Sequence, residues 1–519
     1  MSMQQPPISD ASTKTVTYFL IDGLDGTKFR ELVAAGKLPF LAKVAKEGIM
    51  VQRGISSFPT MTGYGYYPFI TGMDAARSGI LGLRWFDRSL IKGNLRNYVG
   101  RTNPLMNKDI LPDIKTLFEL ADTSYTASIN CFMNRGVKES VITGWDHSAA
   151  KFEGRSVFKW IRAMPFFGEK WAMNHFEHET SAINIALEQL AKNPKVHFIT
   201  FPSPDATVHV LGNNPTYDEI LIHIDRLIEQ YWKEVVALGQ ENDRMLAIIS
   251  DHGVEEVINN LDFKEEFEKL GLKLERGNAV NILNSQLNIP FEKLNDLNAY
   301  FVINGNLSAY IYLKWPIKDW AYNPSYNEIS AYPLPNGDSI DLVAFFAKRE
   351  GVEFAIVKTD SVSLRIYRGG EYALIKKESN ALVYNDSHGD VLNLRTCMTS
   401  PHFKLSNDEW MVASIKCDYP YSVPRLWALF ENKSMGNILL TSAKGYDFGK
   451  KYEQVVGSYK GGHGGIRASM MVTPYIIYGK GLVPSNIEIA RSEDIGATVM
   501  KWLGMSVAYK LDGESLIKD

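Results

Sequence analysis

The chain has 519 residues, 45% hydrophobic and 22% charged, with 56 Lys plus Arg against 59 Asp plus Glu for a net charge of −3. This is globular composition, which excludes wholesale disorder, collagen and coiled coil. The balanced charge excludes a general positive field for holding a nucleic-acid duplex.

At about 100–200 residues per domain, the length implies two or more units, or one large α/β domain with insertions. Residues 1–15 are polar and are expected to be disordered. The first apolar run, Val16–Ile21, is too short for the core of a signal peptide, and Asp22 behind it suits no cleavage site. No run approaches about 18 apolar residues, so no membrane span is expected. The plain expectation is a cytoplasmic protein, with export by another route left open. The cysteines, Cys131, Cys397 and Cys417, include no CxxC pair. That excludes a sulfur-ligated zinc ribbon, and three reduced thiols are expected over one bridge.

Along the chain, short apolar runs stop at polar loops. Val16–Ile21 stops at Asp22-Gly23, Tyr125–Phe132 at Met133-Asn134-Arg135, and Val196–Phe201 at Pro202-Ser203-Pro204-Asp205. Met245–Ser250 stops at Asp251-His252-Gly253, and Asn437–Thr441 at Ser442-Ala443. Helical periodicity fills the gaps: Thr27–Glu47 with a break near Gly36, Thr180–Ala191, Tyr217–Leu238, and Ser492–Leu503 with Ser492 as N-cap. Continuous apolar strands alternating with helices imply α/β architecture, a mostly parallel sheet sandwiched by helices. Residues 256–424 differ. Glu255–Leu274 is charged and reads as helix, followed by runs at Tyr300–Ile303, Ala309–Leu313, Phe354–Val357, Ser363–Tyr367 and Tyr372–Ile375. We read this segment as an α+β insertion, placed as a cap between core segments 16–255 and 425–519.

The carboxylates and histidines fall where a parallel sheet gathers its loops. Asp22 follows the first strand. Asp205 and His209, four residues apart, follow another and share a helical face. Asp251 and His252 follow a third, and His463 sits in Gly461-Gly462-His463-Gly464-Gly465, where glycines permit close backbone approach. Mixed carboxylate and imidazole ligation suits zinc first, with manganese or iron as alternatives, and six ligands suffice for two ions. The segment Phe58-Pro59-Thr60-Met61-Thr62-Gly63 precedes a short helix ending at Thr71-Gly72. It offers a hydroxyl that a metal would activate as a nucleophile.

These pieces, in this order, resemble the alkaline phosphatase superfamily, and within it the type I phosphodiesterase/nucleotide pyrophosphatase family, over roughly residues 14–255 and 425–515. The resemblance implies one ion on Asp205, His209 and His463 and another on Asp22, Asp251 and His252, with Thr62 as ligand and nucleophile. Thr62 stands nine residues before Thr71, the family's spacing, which selects it over Thr60. One departure concerns the family's asparagine that helps bind the phosphoryl oxygen. Here the position reads Leu83, followed by Arg84, a candidate to take over the oxyanion role because a guanidinium fork matches phosphate oxygens. The alternative for Arg84 is a surface salt bridge.

The expected function is a two-metal phosphoesterase that hydrolyses a phosphodiester, pyrophosphate or phosphomonoester through a phospho-threonine. Its substrate would be a phosphorylated small molecule or lipid headgroup. The alternatives are a phosphomutase of the same superfamily and a decayed scaffold that only binds. Tyr64, Tyr66, Tyr67, Trp85 and Phe86 are expected in the core, His175 and His178 at an exposed helix start, His388 in a turn, and Arg96, Arg101 and Arg135 as solvated charges.

Overall fold

The computed structural model describes residues 12–89, 95–99, 102–143, 168–212, 214–276, 294–398, 403–449 and 459–518. Residues 1–11, most of the segment expected to be disordered, and Arg101 lie outside them. Among the described residues an eight-stranded sheet forms the centre. Its strands in chain order are β1 (Thr15–Ile21), β2 (Ile49–Ile55), β3 (Thr126–Ile129), β4 (Glu139–Val141), β5 (Val196–Phe201), β6 (Arg244–Ile249), β7 (Val472–Tyr478) and β8 (Ser485–Arg491). Across the sheet they run β8-β2-β7-β6-β1-β5-β3-β4. Every pairing is parallel except those of β7, which runs against both β2 and β6.

The sequence TVTYFLI is buried at every position of β1 because helices or a second sheet cover both faces. Val16, Tyr18 and Leu20 enter one apolar cluster, Phe19 and Ile21 the other. The second cluster is closed by α1 (Gly26–Ala34), α2 (Pro39–Glu47), α4 (Gly168–Leu190) and α6 (Pro215–Ala237). The first is covered by α3 (Tyr67–Thr71) and α8 (Ser492–Leu503). Between α4 and α6 lies α5 (Ser203–Leu211), and α7 (Ser422–Glu431) precedes α8. Near Gly36 the chain does break into two helices. Asp25 caps α1 from the Thr27 and Lys28 amides, and Asp225 of α6 accepts the Phe40 and Leu41 amides at the start of α2.

A second sheet of nine strands carries most of the segment from 274 to 442. In it Tyr300, Val302, Tyr310, Phe354 and Ile356 join the cluster that holds Tyr18, while Phe301, Ile303, Ala309 and Ile311 pack with Leu342 and Phe346 of the helix Leu342–Ala347. The two sheets therefore share one apolar core.

Several expectations need correction. Ile438–Ser442 is not a strand of the parallel core; it lies in the second sheet, antiparallel to Ser308–Leu313 and Val352–Asp360. A five-residue apolar run reads alike in either sheet, and only long-range pairing decides. Glu255–Leu274 is not one helix: Glu255–Asn260 is a strand and only Lys264–Lys269 is helical. The residue at the N-cap position of α8 is Arg491, not Ser492, and its amide donates to the Asp494 carboxylate at 2.7 Å. Cys397 and Cys417 form a disulfide, with Cα atoms 5.2 Å apart, because the chain folds back around helix Asn407–Ser414; Cys131 is free and buried.

Arg425 of α7 is 1% exposed and pairs bidentately with Glu493 of α8, at 3.0 and 2.9 Å, while its Nε donates to the Ser56 carbonyl at 3.1 Å. Its guanidinium also bonds Asp74. Arg425 is the shared partner of two carboxylates, and removing it strands both. We therefore expect Arg425→Met to cost about 3–5 kcal/mol in a denaturant titration, and Arg425→Met with Glu493→Leu to recover the part owed to Glu493. Equal losses in the single and double variants would contradict this.

Candidate metal centre

The carboxyl ends of the parallel strands meet along one edge, and each expected ligand is found there. Asp22 follows β1, Asp251 and His252 follow β6, and Asp205 lies in the first turn of α5 with His209 in its last. Because β7 is antiparallel, the loop before it reaches the same edge and delivers His463. Thr62 lies in the loop after β2, a strand the sequence reading missed. Gly23, at φ +67°, is required behind Asp22: a β-carbon there would stand 2.9 Å from the Asp205 Cα.

The three imidazoles are aimed alike. Nδ1 of His209 donates to the Gly461 carbonyl at 2.9 Å, that of His463 to the Thr60 carbonyl at 2.8 Å, and that of His252 to the Gly253 carbonyl at 3.1 Å. Such bonds set the tautomer that presents Nε2 as a ligand. His252 Nε2 stands 3.3 Å from Asp22 Oδ1 and 3.4 Å from Asp251 Oδ2. His209 Nε2 is 3.2 Å from Asp205 Oδ2, and His463 Nε2 is 3.7 Å from Asp205 Oδ1. The rings of His252 and His463 stack at 3.8 Å. Thr62 Oγ1 sits 3.4 Å from Asp22 Oδ1 and 3.2 Å from His252 Nε2.

Two ligand groups result, each with its donor atoms within 4.8 Å of one another: Asp22, Asp251 and His252, and Asp205, His252 and His463. The first is the trio expected from the sequence. In the second His252 takes the place expected of His209, which stands instead at the other Asp205 oxygen.

Burial, reinforced by Asp251 and Asp205, pushes the Asp22 carboxyl well above the usual carboxylate range. Burial and Asp205 do the same to Asp251. Burial and the neighbouring His463 push His252 down. At Asp205 burial is outweighed by His209 and His463, which hold it low. Both oxygens of Asp251 and Oδ1 of Asp205 are buried without a hydrogen-bond donor among the described residues. Clustered carboxylates without donors, faced by imidazole Nε2 atoms, fit divalent cations bound by oxygen and nitrogen.

Other expected residues fall elsewhere. Arg84 is buried on strand Arg84–Phe86, its amide and carbonyl both bonded to the Asn304 side chain, while the neighbouring Leu83 is partly exposed. Arg96 is not a solvated charge, since its Nε bonds Asp109 at 2.8 Å, and Arg135 bonds Glu119 and the Ile110 carbonyl. Tyr64, Tyr66, Tyr67 and Phe86 are fully buried, and Trp85 nearly so. His388 is in an exposed turn, stacked on Tyr372 at 4.4 Å.

His175 is buried, not exposed, and His178 bonds the Thr143 carbonyl, because α4 starts twelve residues before Thr180. Glu179 was not foreseen. Fully buried, it accepts the Ser203 amide at 2.8 Å at the start of α5, and burial pushes its carboxyl up to about 8. In the sequence nothing separates it from the surface carboxylates of the same helix.

Among the solved structures that share this fold are three of ectonucleotide pyrophosphatase/phosphodiesterase 5. Murine ectonucleotide pyrophosphatase/phosphodiesterase 5 aligns at 13% identity with TM-score 0.53, and the human protein of that name at 14% with TM-score 0.53. An inactive form of the murine protein in complex with AMP aligns at 13% with TM-score 0.52. Each alignment covers 96% of this chain and 97% of the other. Among curated proteins none matches the sequence significantly. Residues 16–318 match the model of the type I phosphodiesterase/nucleotide pyrophosphatase family, and the chain belongs to that family.

Proposed function

We propose that the protein is a two-metal phosphoesterase acting on a phosphodiester or pyrophosphate of nucleotide or lipid-headgroup type, with a phospho-threonine on Thr62 as intermediate. The observation that carries this reading is the place of Thr62 Oγ1, 3.4 Å from Asp22 and 3.2 Å from His252 at the mouth of the carboxylate cluster. Asp22, Asp251 and His252 would hold one divalent cation and Asp205, His209 and His463 the other, with His252 near enough to serve both. Bound ions would lower the pKa of a hydroxyl or water and neutralise phosphoryl charge.

Thr62 Oγ1 loses its proton to solvent and attacks phosphorus; the Oγ1–P bond forms as the bond to the leaving oxygen breaks, and that oxygen departs with the bonding pair and takes up a proton from solvent. Water then attacks the same phosphorus, the Oγ1–P bond breaks, and the threonine hydroxyl is restored. Leu83 stands where the family carries asparagine, so no neutral amide receives the phosphoryl oxygen at that point. Arg84 is the candidate replacement, and its burial would make a charge contact there strong. A monoester is the second substrate class, on the ground that a guanidinium favours the more highly charged group.

The purified protein should carry about two divalent ions per chain by elemental analysis. Chelation should abolish hydrolysis of a bis-aryl phosphate and lower the melting temperature, because it returns Asp22, Asp251 and Asp205 to mutual repulsion. Full turnover in metal-depleted protein would refute the reading.

Thr62→Ala should lower kcat by more than about 10³-fold while both ions stay bound, since all six other ligands remain. A variant with near wild-type turnover would move the nucleophile elsewhere.

Asp22 and Asp251 hold protons more tightly than ordinary carboxylates, and a cation must displace them. Metal affinity should therefore fall as the pH is lowered, and binding should release protons, visible as a buffer-dependent enthalpy in calorimetry. An enthalpy independent of buffer would contradict this.

A further inference from the structure

His463 is held from two sides by groups outside the ligand set. On one side stands Thr60, fully buried. Its carbonyl accepts His463 Nδ1 at 2.8 Å, its hydroxyl accepts the Gly464 amide at 2.9 Å, and the same hydroxyl donates to the Gly465 carbonyl at 2.9 Å. On the other side is the turn of the second sheet between Asn304 and Ser308. The His463 amide donates to the Gly305 carbonyl at 3.3 Å, and the Leu307 amide donates to the His463 carbonyl at 3.0 Å. The fit is close enough that a β-carbon on Gly464, at φ +103°, would lie 2.3 Å from the Asn304 carbonyl oxygen. Thr60 thus joins the loop bearing Thr62 to the loop bearing His463 by hydroxyl bonds at both Gly464 and Gly465.

We propose that Thr60 is a positioning residue, which fixes the tautomer and aim of His463 and so sets the affinity of the Asp205, His209 and His463 site for its cation. The inference rests on the metal reading above. Its physical basis is that a ring nitrogen bonded to a carbonyl is locked in direction only as firmly as the two backbones are locked to each other. Here the hydroxyl supplies that lock. Thr60→Val keeps the shape and the carbonyl but leaves the Gly464 amide and Gly465 carbonyl buried without partners. Thr60→Ser restores the hydroxyl.

The test is a zinc titration of the full chain against a chromogenic chelator, with no turnover involved. Loss of an outer hydrogen bond to a metal-bound histidine commonly weakens binding by about 10–100-fold. We expect a loss of that size in Thr60→Val at one of the two ions, the other ion unchanged, and Thr60→Ser within about threefold of wild type. A Thr60→Val variant that binds both ions as wild type does would overturn the proposal, as would equal weakening in Thr60→Ser. A wild-type protein that binds no zinc would refute the metal reading instead. Should Thr60→Val not fold, Thr60→Cys, whose thiol is a weak donor and acceptor, is read by the same criteria.

Discussion

Three aspartates share one buried edge of the sheet, and their carboxylates lack enough hydrogen-bond donors to sit there unaided. Asp22 is 3% exposed and Asp251 fully buried, and Asp251 has no donor for either oxygen among the described residues. Like charges in such surroundings repel strongly and cannot be relieved by solvent. The rest of the site follows from that one difficulty. Imidazole Nε2 atoms face the carboxylates, a threonine hydroxyl sits between an aspartate and a histidine, and the backbone around them is closed by carbonyls that take the outer imidazole nitrogens. A divalent cation relieves the repulsion between ionised carboxylates, and without one the site must take up protons instead.

The fold brings these groups together by topology more than by local sequence. Parallel strands β1, β5 and β6 send their loops to the same end, and antiparallel β7 enters from that end, so four separate stretches of chain converge. Behind them, Arg425 ties Glu493 of α8 to the Ser56 carbonyl, just ahead of the loop with Thr62. Glu493 is therefore built into the support of the loop that carries Thr62, and its neighbour Asp494 accepts the Arg491 amide at the start of the same helix.

What the sequence made legible was local. Asp22-Gly23, Asp205 with His209 one helical turn on, Asp251-His252 and the glycine-flanked His463 each announce a strand end or a tight loop, and all reached the same edge. Strands β2, β4, β7 and β8 were not seen, because IMVQRGI, ESV and SNIEIAR carry charges that break the apolar runs used to find strands, and a proline interrupts VTPYIIY. Ile438–Ser442 was seen but placed in the wrong sheet, since pairing partners in Ser308–Leu313 and Val352–Asp360, far away in the chain, leave no mark on five residues. Glu179 and Arg425 escaped notice for a related reason: a buried charge looks like a surface charge until its partner is known.

The position of β7 has a consequence for how the protein is made. It lies between β2 and β6, yet it is synthesised more than 220 residues after β6 ends. Until it arrives, β2 and β6 face an empty slot, each with a row of unpaired amides and carbonyls, the kind of edge that invites pairing with another chain. The emerging chain must also build the second sheet in that interval, and Ile438–Ser442, close to its middle, appears only shortly before β7. Folding is thus dominated by contacts between distant segments, which is slow and leaves sticky intermediates. Truncation anywhere before Tyr478 would leave the central sheet split in two, and one would expect such fragments to need a chaperone or to aggregate.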